Sequence, residues 1–284
     1  MYEKQQIGGA DINISALGGE KAMDLSVLPV SNMPVLGDLT VSVVIPTLDE
    51  AKNLPHVLPG IPAWVLEVVL VDGGSKDDTV EVAKELRDDV VIIEDLTPGK
   101  GAALRRGFSV ARGDIIVMID ADGSMDPGEI SAFVGALVGG ADFAKGSRFL
   151  HGGGTADMEW YRRLGNYGLT MLVRMSFGGK YSDLCYGYNA FWKNSIDRLE
   201  LDADGFEIET LMNVRALTAG LNVTEVPSFE AKRLYGTSHL NTVTDGWRVL
   251  KTIIRERRNP YRAAGSVIDL RDGHRTASNQ TQFG

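Results

Sequence analysis

The stretch VMIDADGSMDP, residues 117–127, runs from apolar residues straight into two acids one residue apart, then into glycine, serine and a helix-starting Asp-Pro. Extended backwards it reads DIIVMID (114–120), a continuous apolar run that a strand buried on both faces requires. Asp120 then closes a strand and Asp122 follows in the loop. Asp126, just ahead of Pro127, stands where a helix N-cap belongs, a role that Asp122 can also be given. The alternative for Asp120 and Asp122 is chemical. Two hard oxygen donors so close together suit Mg²⁺ or Mn²⁺, with water and phosphate oxygens completing the shell.

The neighbouring segments decide where those acids sit. VSVVIP (41–46), LEVVLVD (66–72) and VVIIE (90–94) are further buried strands, whereas LPHVLPGIP (54–62) holds too many prolines for more than a short helix. DDTVEVAKEL (77–86) and GKGAALRRGFSVAR (99–112) are predicted helices. Strands alternating with helices predict an α/β chain, Rossmann-like and doubly wound, with a mostly parallel sheet and flanking helices. Ligands of such sheets collect beyond the carboxyl ends of the strands, the rim that carries Asp120 and Asp122.

The other strand ends add PTLDEAKNL (46–54), the glycine turn VDGGSKDDT (71–79) and TPGKGAALRRG (97–107), which combines glycine, a cation and a helix start. Neither GxxxxGK[ST] nor GxGxxG in a first βαβ unit is present, so those two nucleotide classes drop out. The 284 residues carry 38 Asp and Glu against 29 Lys and Arg, a net charge of −9 that argues against nucleic acid as the main partner. A single cysteine, Cys185, points to a reducing compartment. No leader-like segment and no apolar run of ~18 residues stands out, which predicts a cytoplasmic chain without a spanning helix. Residues 1–38 and 259–284 read as polar flanking segments around one domain, 39–258.

VVIPTLDE, VDGGSKDDT, GKGAALRRG, DADGS and AKGSRF, in this order, resemble family 2 glycosyltransferases of GT-A fold. The branch they resemble contains the dolichyl- and polyprenyl-phosphate sugar synthases. The likeness continues through SDLCYGYNAF, GFEIETLMNVRALTAGLNVTEVP and RLYGTSHLNTVTDGWRVLKTI, roughly residues 40–258. It implies a metal-dependent transferase that moves a sugar from a UDP- or GDP-linked donor to an acceptor with inversion. Polyprenyl phosphate is the first acceptor implied. A hydroxyl acceptor and a noncatalytic nucleotide-sugar-binding module remain as alternatives. Position by position, the resemblance puts Pro46, Thr47 and Glu50 at the nucleoside pocket and Asp72 at the first acid of a VDDGS turn. Gly73 replaces the second acid, so the base contact implied there has no carboxylate. Lys100 passes near the nucleotide, and Asp120, Ala121 and Asp122 form the DxD that holds the metal on the diphosphate. Ser124 stands where related enzymes can offer a Gln ligand. Arg148 matches a catalytic-site arginine, Arg233 matches an arginine that binds phosphate, and His239 replaces a lysine that follows it. A divalent ion and fixed cations would stabilise charge growing on the departing diphosphate.

The acceptor half rests on WYRRLGNYGLTMLVRMSF (160–177), a predicted helix with Leu164, Tyr167, Leu172 and Met175 available for burial. Arg162, Arg163 and Asn166 are the candidates for contact with an acceptor phosphate, against the plainer reading of a solvated charged face. A hydroxyl acceptor needs a general base, for which Asp183, Glu207 and Glu209 are available; a phosphate acceptor needs none. Both glutamates equally suit the positive start of a helix. In TDGWRVLKTIIRERRNPYR (244–262), Trp247, Leu250, Ile253 and Ile254 share a stripe flanked by arginines. That stripe packs on its own domain or makes a peripheral membrane contact. The sequence leaves oligomeric state open.

Overall fold

The computed structural model describes residues 38–237 and 241–259. The flanking segments 1–37 and 260–284, and His239, lie outside the described residues. The four apolar runs form β1 (Val41–Thr47), β2 (Glu67–Asp72), β3 (Val90–Glu94) and β4 (Ile115–Met118). β4 ends two residues short of Asp120, although the Ile119 N–H still reaches the Val44 carbonyl at 3.2 Å. Three strands not read from the sequence, β5 (Phe143–Ser147), β7 (Asn189–Trp192) and β8 (Val223–Pro227), complete a seven-stranded sheet. Its order is β3-β2-β1-β4-β7-β5-β8. Only β7 runs against its neighbours, antiparallel to β4 and β5. A small ribbon joins β6 (Gly154–Thr155) to β9 (Phe229–Glu230). The register Thr47↔Asp72 sets the loops after β1 and β2 at one height on the carboxyl rim.

The helices are α1 (Leu54–Val57), α2 (Thr79–Leu86), α3 (Lys100–Val110), α4 (Ile130–Val138), α5 (Trp160–Phe177), α6 (Lys193–Asp197), α7 (Ile208–Thr218) and α8 (Thr242–Arg258). α2 begins two residues later than its acids suggest. Asp77 accepts the Thr79 N–H at 3.2 Å and the Ala51 N–H at 3.1 Å, which makes it a loop brace ahead of the helix. Asp126 does cap the turn at Pro127, accepting the Gly128 N–H at 2.8 Å.

α3 and α7 cover one face of the sheet, burying Leu104, Phe108, Leu211 and Met212 against Val44, Val69, Met118 and Phe191. Each such side chain contributes about 1.5–3 kcal/mol of transfer free energy. A second core joins α5, α7 and α8 through Val173, Val214, Val249 and Ile253. Here two sequence expectations change. In α5 it is Asn166, Thr170 and Val173 that point inward. Leu164, Tyr167 and Met175 stay 63%, 63% and 73% exposed. The cause is polar: Asn166 is required inside, as described below, and its position fixes the helix's rotation. In α8, Ile253 packs inward beside Val249 while Trp247 and Ile254 remain outside. Arg215 sets that rotation by holding the buried Glu256 with two contacts of 3.1 Å. Among the described residues, no helix is long and apolar enough to cross a membrane.

Candidate active site

A cavity of about 460 Å³ opens on the carboxyl rim. The loop after β1 contributes Pro46, Thr47 and Glu50, and the turn after β2 contributes Gly73. Lys100 enters from the start of α3, and Asp120, Ala121, Asp122 and Ser124 from the loop after β4. Arg148, Arg162, Glu209 and Arg233 close the far wall.

Its charged groups form two carboxylate–cation–carboxylate relays. In one, the Lys100 Nζ lies 2.6 Å from Asp120 and 2.7 Å from Glu209. In the other, Arg233 lies 3.0 Å from Asp122 and 2.9 Å from Glu50. The inner members, Asp120 and Asp122, keep 27% and 13% of their side-chain surface open to the cavity. The outer members, Glu209 and Glu50, are buried. Burial opposes the Lys100 ammonium, but the carboxylates of Asp120 and Glu209 outweigh it and hold the lysine charged well above its ordinary range. Burial pushes the Glu209 carboxyl up, and Lys100 draws it only partly back. For Arg233, too, burial is outweighed, chiefly by Asp122 and Glu50, so its guanidinium stays charged.

Gly73 and Gly99, one from each glycine loop, line the cavity. Asp72 does not line the cavity; its carboxylate folds back to accept the Gly74 and Ser75 N–H groups, both at 3.0 Å. Those amides are therefore turned to their own loop. At the start of α3, the Gly101 and Ala102 N–H groups donate to the Asp204 carbonyl at 2.7 and 3.1 Å. Gly99 and Gly101 are required because the backbone around Asp204 crosses so closely that a Cβ at either would collide with it. The start of α3 is thus capped by the chain itself.

Asp183 is fully buried and not on the cavity wall. It takes the Arg148 Nε at 2.7 Å, the Arg148 Nη2 at 3.0 Å and the Asn166 amide at 3.0 Å. Burial alone would raise its pKa, but the Arg148 guanidinium more than compensates and holds it below the usual carboxylate range. Asn166 turns its carbonyl to the backbone of Leu184 and Cys185. Asp183, itself held by Asn166, thus pins Arg148, which lines the cavity and stacks over the Tyr186 ring at 4.7 Å. Glu207 stands at the N-cap of α7 and accepts the Gly205 N–H at 3.3 Å, away from the cavity. Arg163 is exposed and stacks on Phe149 at 5.1 Å, while its neighbour Arg162 lines the cavity.

The sequence reading missed two carboxylates of this wall, Asp157 and Glu230. Glu230 pairs with Arg148 at 2.9 Å and accepts the Thr155 hydroxyl at 2.6 Å. Neither lies in a motif; the β6–β9 ribbon, formed by residues far apart in the chain, brings them in.

Asp120 and Asp122 form a hard-oxygen pair fit to hold a divalent cation. Among the described residues no third His, Cys, Asp or Glu converges with them, so the remaining ligand positions would fall to water and to phosphate oxygens. With the fixed cations around it, the cavity suits an anionic, phosphate-bearing ligand.

Residues 42–199 match the model of glycosyl transferase family 2. Polyprenol monophosphomannose synthase of Mycolicibacterium smegmatis is 32% identical over 217 residues, 70% of this chain and 80% of that protein. Dolichol-phosphate mannosyltransferase of Pyrococcus furiosus is 33% identical over 233 residues, 79% of this chain and 63% of that protein. Among solved structures, glucosyl-3-phosphoglycerate synthase of Mycobacterium tuberculosis, in complex with Mn²⁺, UDP and glucosyl-3-phosphoglycerate, superposes with a TM-score of 0.62 at 23% identity. The match covers 81% of this chain and 84% of that one, and it establishes the GT-A architecture. By its family match and the extent of these similarities, the chain is a glycosyltransferase of family 2.

Proposed function

We propose that the enzyme transfers a sugar from a nucleoside diphosphate to polyprenyl phosphate, in one displacement that inverts the anomeric carbon. The acceptor's phosphate oxygen forms the new bond as the bond to the donor diphosphate breaks. Asp120 and Asp122 would hold Mg²⁺ or Mn²⁺, which when bound neutralises charge on the departing diphosphate. Lys100 and Arg233, preorganised in the wall, add fixed positive charge to the same oxygens. Arg162 offers its guanidinium to the acceptor phosphate, while Arg148, saturated by Asp183 and Glu230, shapes the wall beside it.

The observation that carries the acceptor is the outer face of α5. Trp160, Leu164, Tyr167 and Met175 are exposed along one side of the helix that also delivers Arg162 to the cavity. Arg163 and Arg174 flank that stripe, also exposed. An apolar and aromatic stripe edged by arginines suits the surface of an anionic bilayer, where a lipid-borne phosphate is presented. The similarity to synthases named for polyprenol and dolichol phosphate supports the same choice. A phosphate acceptor is already anionic and needs no general base. That fits a site in which Asp183 and Glu209 are both engaged by cations.

A hydroxyl acceptor is the second reading, and one observation favours it: Asp157 lines the cavity as an exposed carboxylate available as a base. Release of nucleoside diphosphate from a panel of UDP- and GDP-sugars with Mg²⁺ or Mn²⁺, with and without polyprenyl phosphate, separates the two. Polyprenyl phosphate is expected to accelerate release, and Asp157→Asn to leave that acceleration intact. Acceleration by a hydroxyl acceptor alone, lost in Asp157→Asn, would overturn the lipid reading.

A further inference from the structure

The relays carry a charge imbalance. Four carboxylates, Asp120, Asp122, Glu209 and Glu50, face two cations, Lys100 and Arg233. Two negative charges are left over, the amount one divalent ion supplies. Yet each inner carboxylate already has a cation on it, so an incoming ion meets occupied ligands. Lys100 sits 2.6 Å from Asp120 and 2.7 Å from Glu209, shared almost evenly. Gly187 leaves space beside the pair: a Cβ there would come 3.0 Å from the Lys100 Nζ and 2.9 Å from the Glu209 Oε1.

From this geometry we infer that Lys100 is an exchangeable counter-ion of Asp120, displaced when a divalent cation binds, and that Glu209 is the positioning residue that retains the displaced ammonium at the cavity wall. The inference rests on the metal reading of Asp120 and Asp122. Glu209 then acts on metal affinity through Lys100. With Glu209 present, Lys100 has a second anionic partner and releases Asp120 readily. With Glu209 neutral, Lys100 concentrates on Asp120 and competes with the metal. The outer carboxylate is placed to keep the inner one available.

The test measures binding of Mn²⁺ alone, by loss of its free-ion electron paramagnetic resonance signal, to the full chain. Thermal melting checks that each variant is folded. Glu209→Gln is expected to bind Mn²⁺ more weakly, on the order of tenfold, because a competing charge-assisted contact is strengthened. Lys100→Met alone leaves Glu209 buried without a counter-charge, so the informative partner is the double variant Lys100→Met/Glu209→Gln, which removes the buried pair together. It is expected to bind Mn²⁺ on the order of tenfold more tightly than the wild type, since Asp120 has lost its competitor. Excess Mn²⁺ is also expected to restore donor turnover in Glu209→Gln, which a defect in packing or proton transfer would not allow. Unchanged affinity in Glu209→Gln, or unchanged or weaker binding by the double variant, overturns the exchange while the metal site stands. Wild-type protein that fails to bind Mn²⁺, or binds it as well after Asp120→Asn, overturns the metal reading and the exchange together.

Discussion

Two acid–cation clusters meet at the cavity, one buried behind its lining and one open to it. Around Asp183, the buried Arg148 guanidinium is held bidentately by that carboxylate and once more by Glu230, and the Asn166 amide completes Asp183. Around Asp120 and Asp122, carboxylates outnumber cations and the inner pair stays open to the cavity. A saturated buried cluster holds shape, because its members have no capacity left for a ligand. An under-neutralised open cluster retains capacity for one. Neither residue type nor the ratio of carboxylates to cations distinguishes them; exposure to the cavity does.

The contrast breaks most visibly at Asp183. Asp183→Ala leaves Arg148 buried without its main counter-charge and is expected to destabilise the fold by about 3–5 kcal/mol in denaturant titration. The pH dependence has a definite sign. Asp183 is held below the ordinary carboxylate range. Its contribution is therefore complete above about pH 4 and fades as pH falls through the depressed value. The melting-temperature gap between wild type and Asp183→Asn should narrow on acidification. A gap that widens would mean that Asp183 is not the ionised partner.

At the open cluster the sign reverses, with chemistry suffering more than stability. Asp120→Ala or Asp122→Ala is expected to lower donor turnover by about 10²–10³-fold, and chelation of divalent ions to have a comparable effect. Melting temperatures should change little, because removing either acid lowers an excess of negative charge. A large fall in melting temperature with turnover retained below it would exchange the roles assigned to the two clusters.

A smaller effect tests α5. Replacing Trp160, Leu164 and Tyr167 together by alanine is expected to weaken cosedimentation with anionic vesicles by at least ~10-fold, with turnover of a water-soluble acceptor analogue preserved. Equal vesicle binding would separate the stripe from the lipid. The mildest change is Gly73→Asp. A Cβ there meets only the Thr47 carbonyl at 3.5 Å and Leu48 at 3.8 Å, ordinary contacts. Stability should shift by less than about 0.5 kcal/mol, so that any altered preference between UDP- and GDP-sugars can be read as a change in donor recognition.

The parallel half of the sheet was legible because each of its strands is a continuous apolar run. β5, β7 and β8 were not read, since FAKGS, NAFW and VTEVP lack that density of branched apolar residues. The resemblance placed Asp120, Asp122, Lys100 and Arg233 among the candidate residues, and the fold brings them to one cavity. Their outer partners, Glu209 and Glu50, were legible as residues but not as anchors, for each contact joins chain segments more than a hundred positions apart. Helix rotation was the harder problem. In α5 the apolar pattern pointed Leu164 and Tyr167 inward, but one buried amide serving Asp183 and two backbone groups outweighed it.

The carbonyl of Asp204 closing the start of α3 sets a further condition on how the enzyme works. Proteins that grip phosphate with a free helix end carry their electrophile permanently, in the backbone. Here that end is sealed. Under the proposed mechanism, the strongest positive charge at the reacting diphosphate is borrowed from solution, and turnover would rise and fall with the supply of free divalent ions.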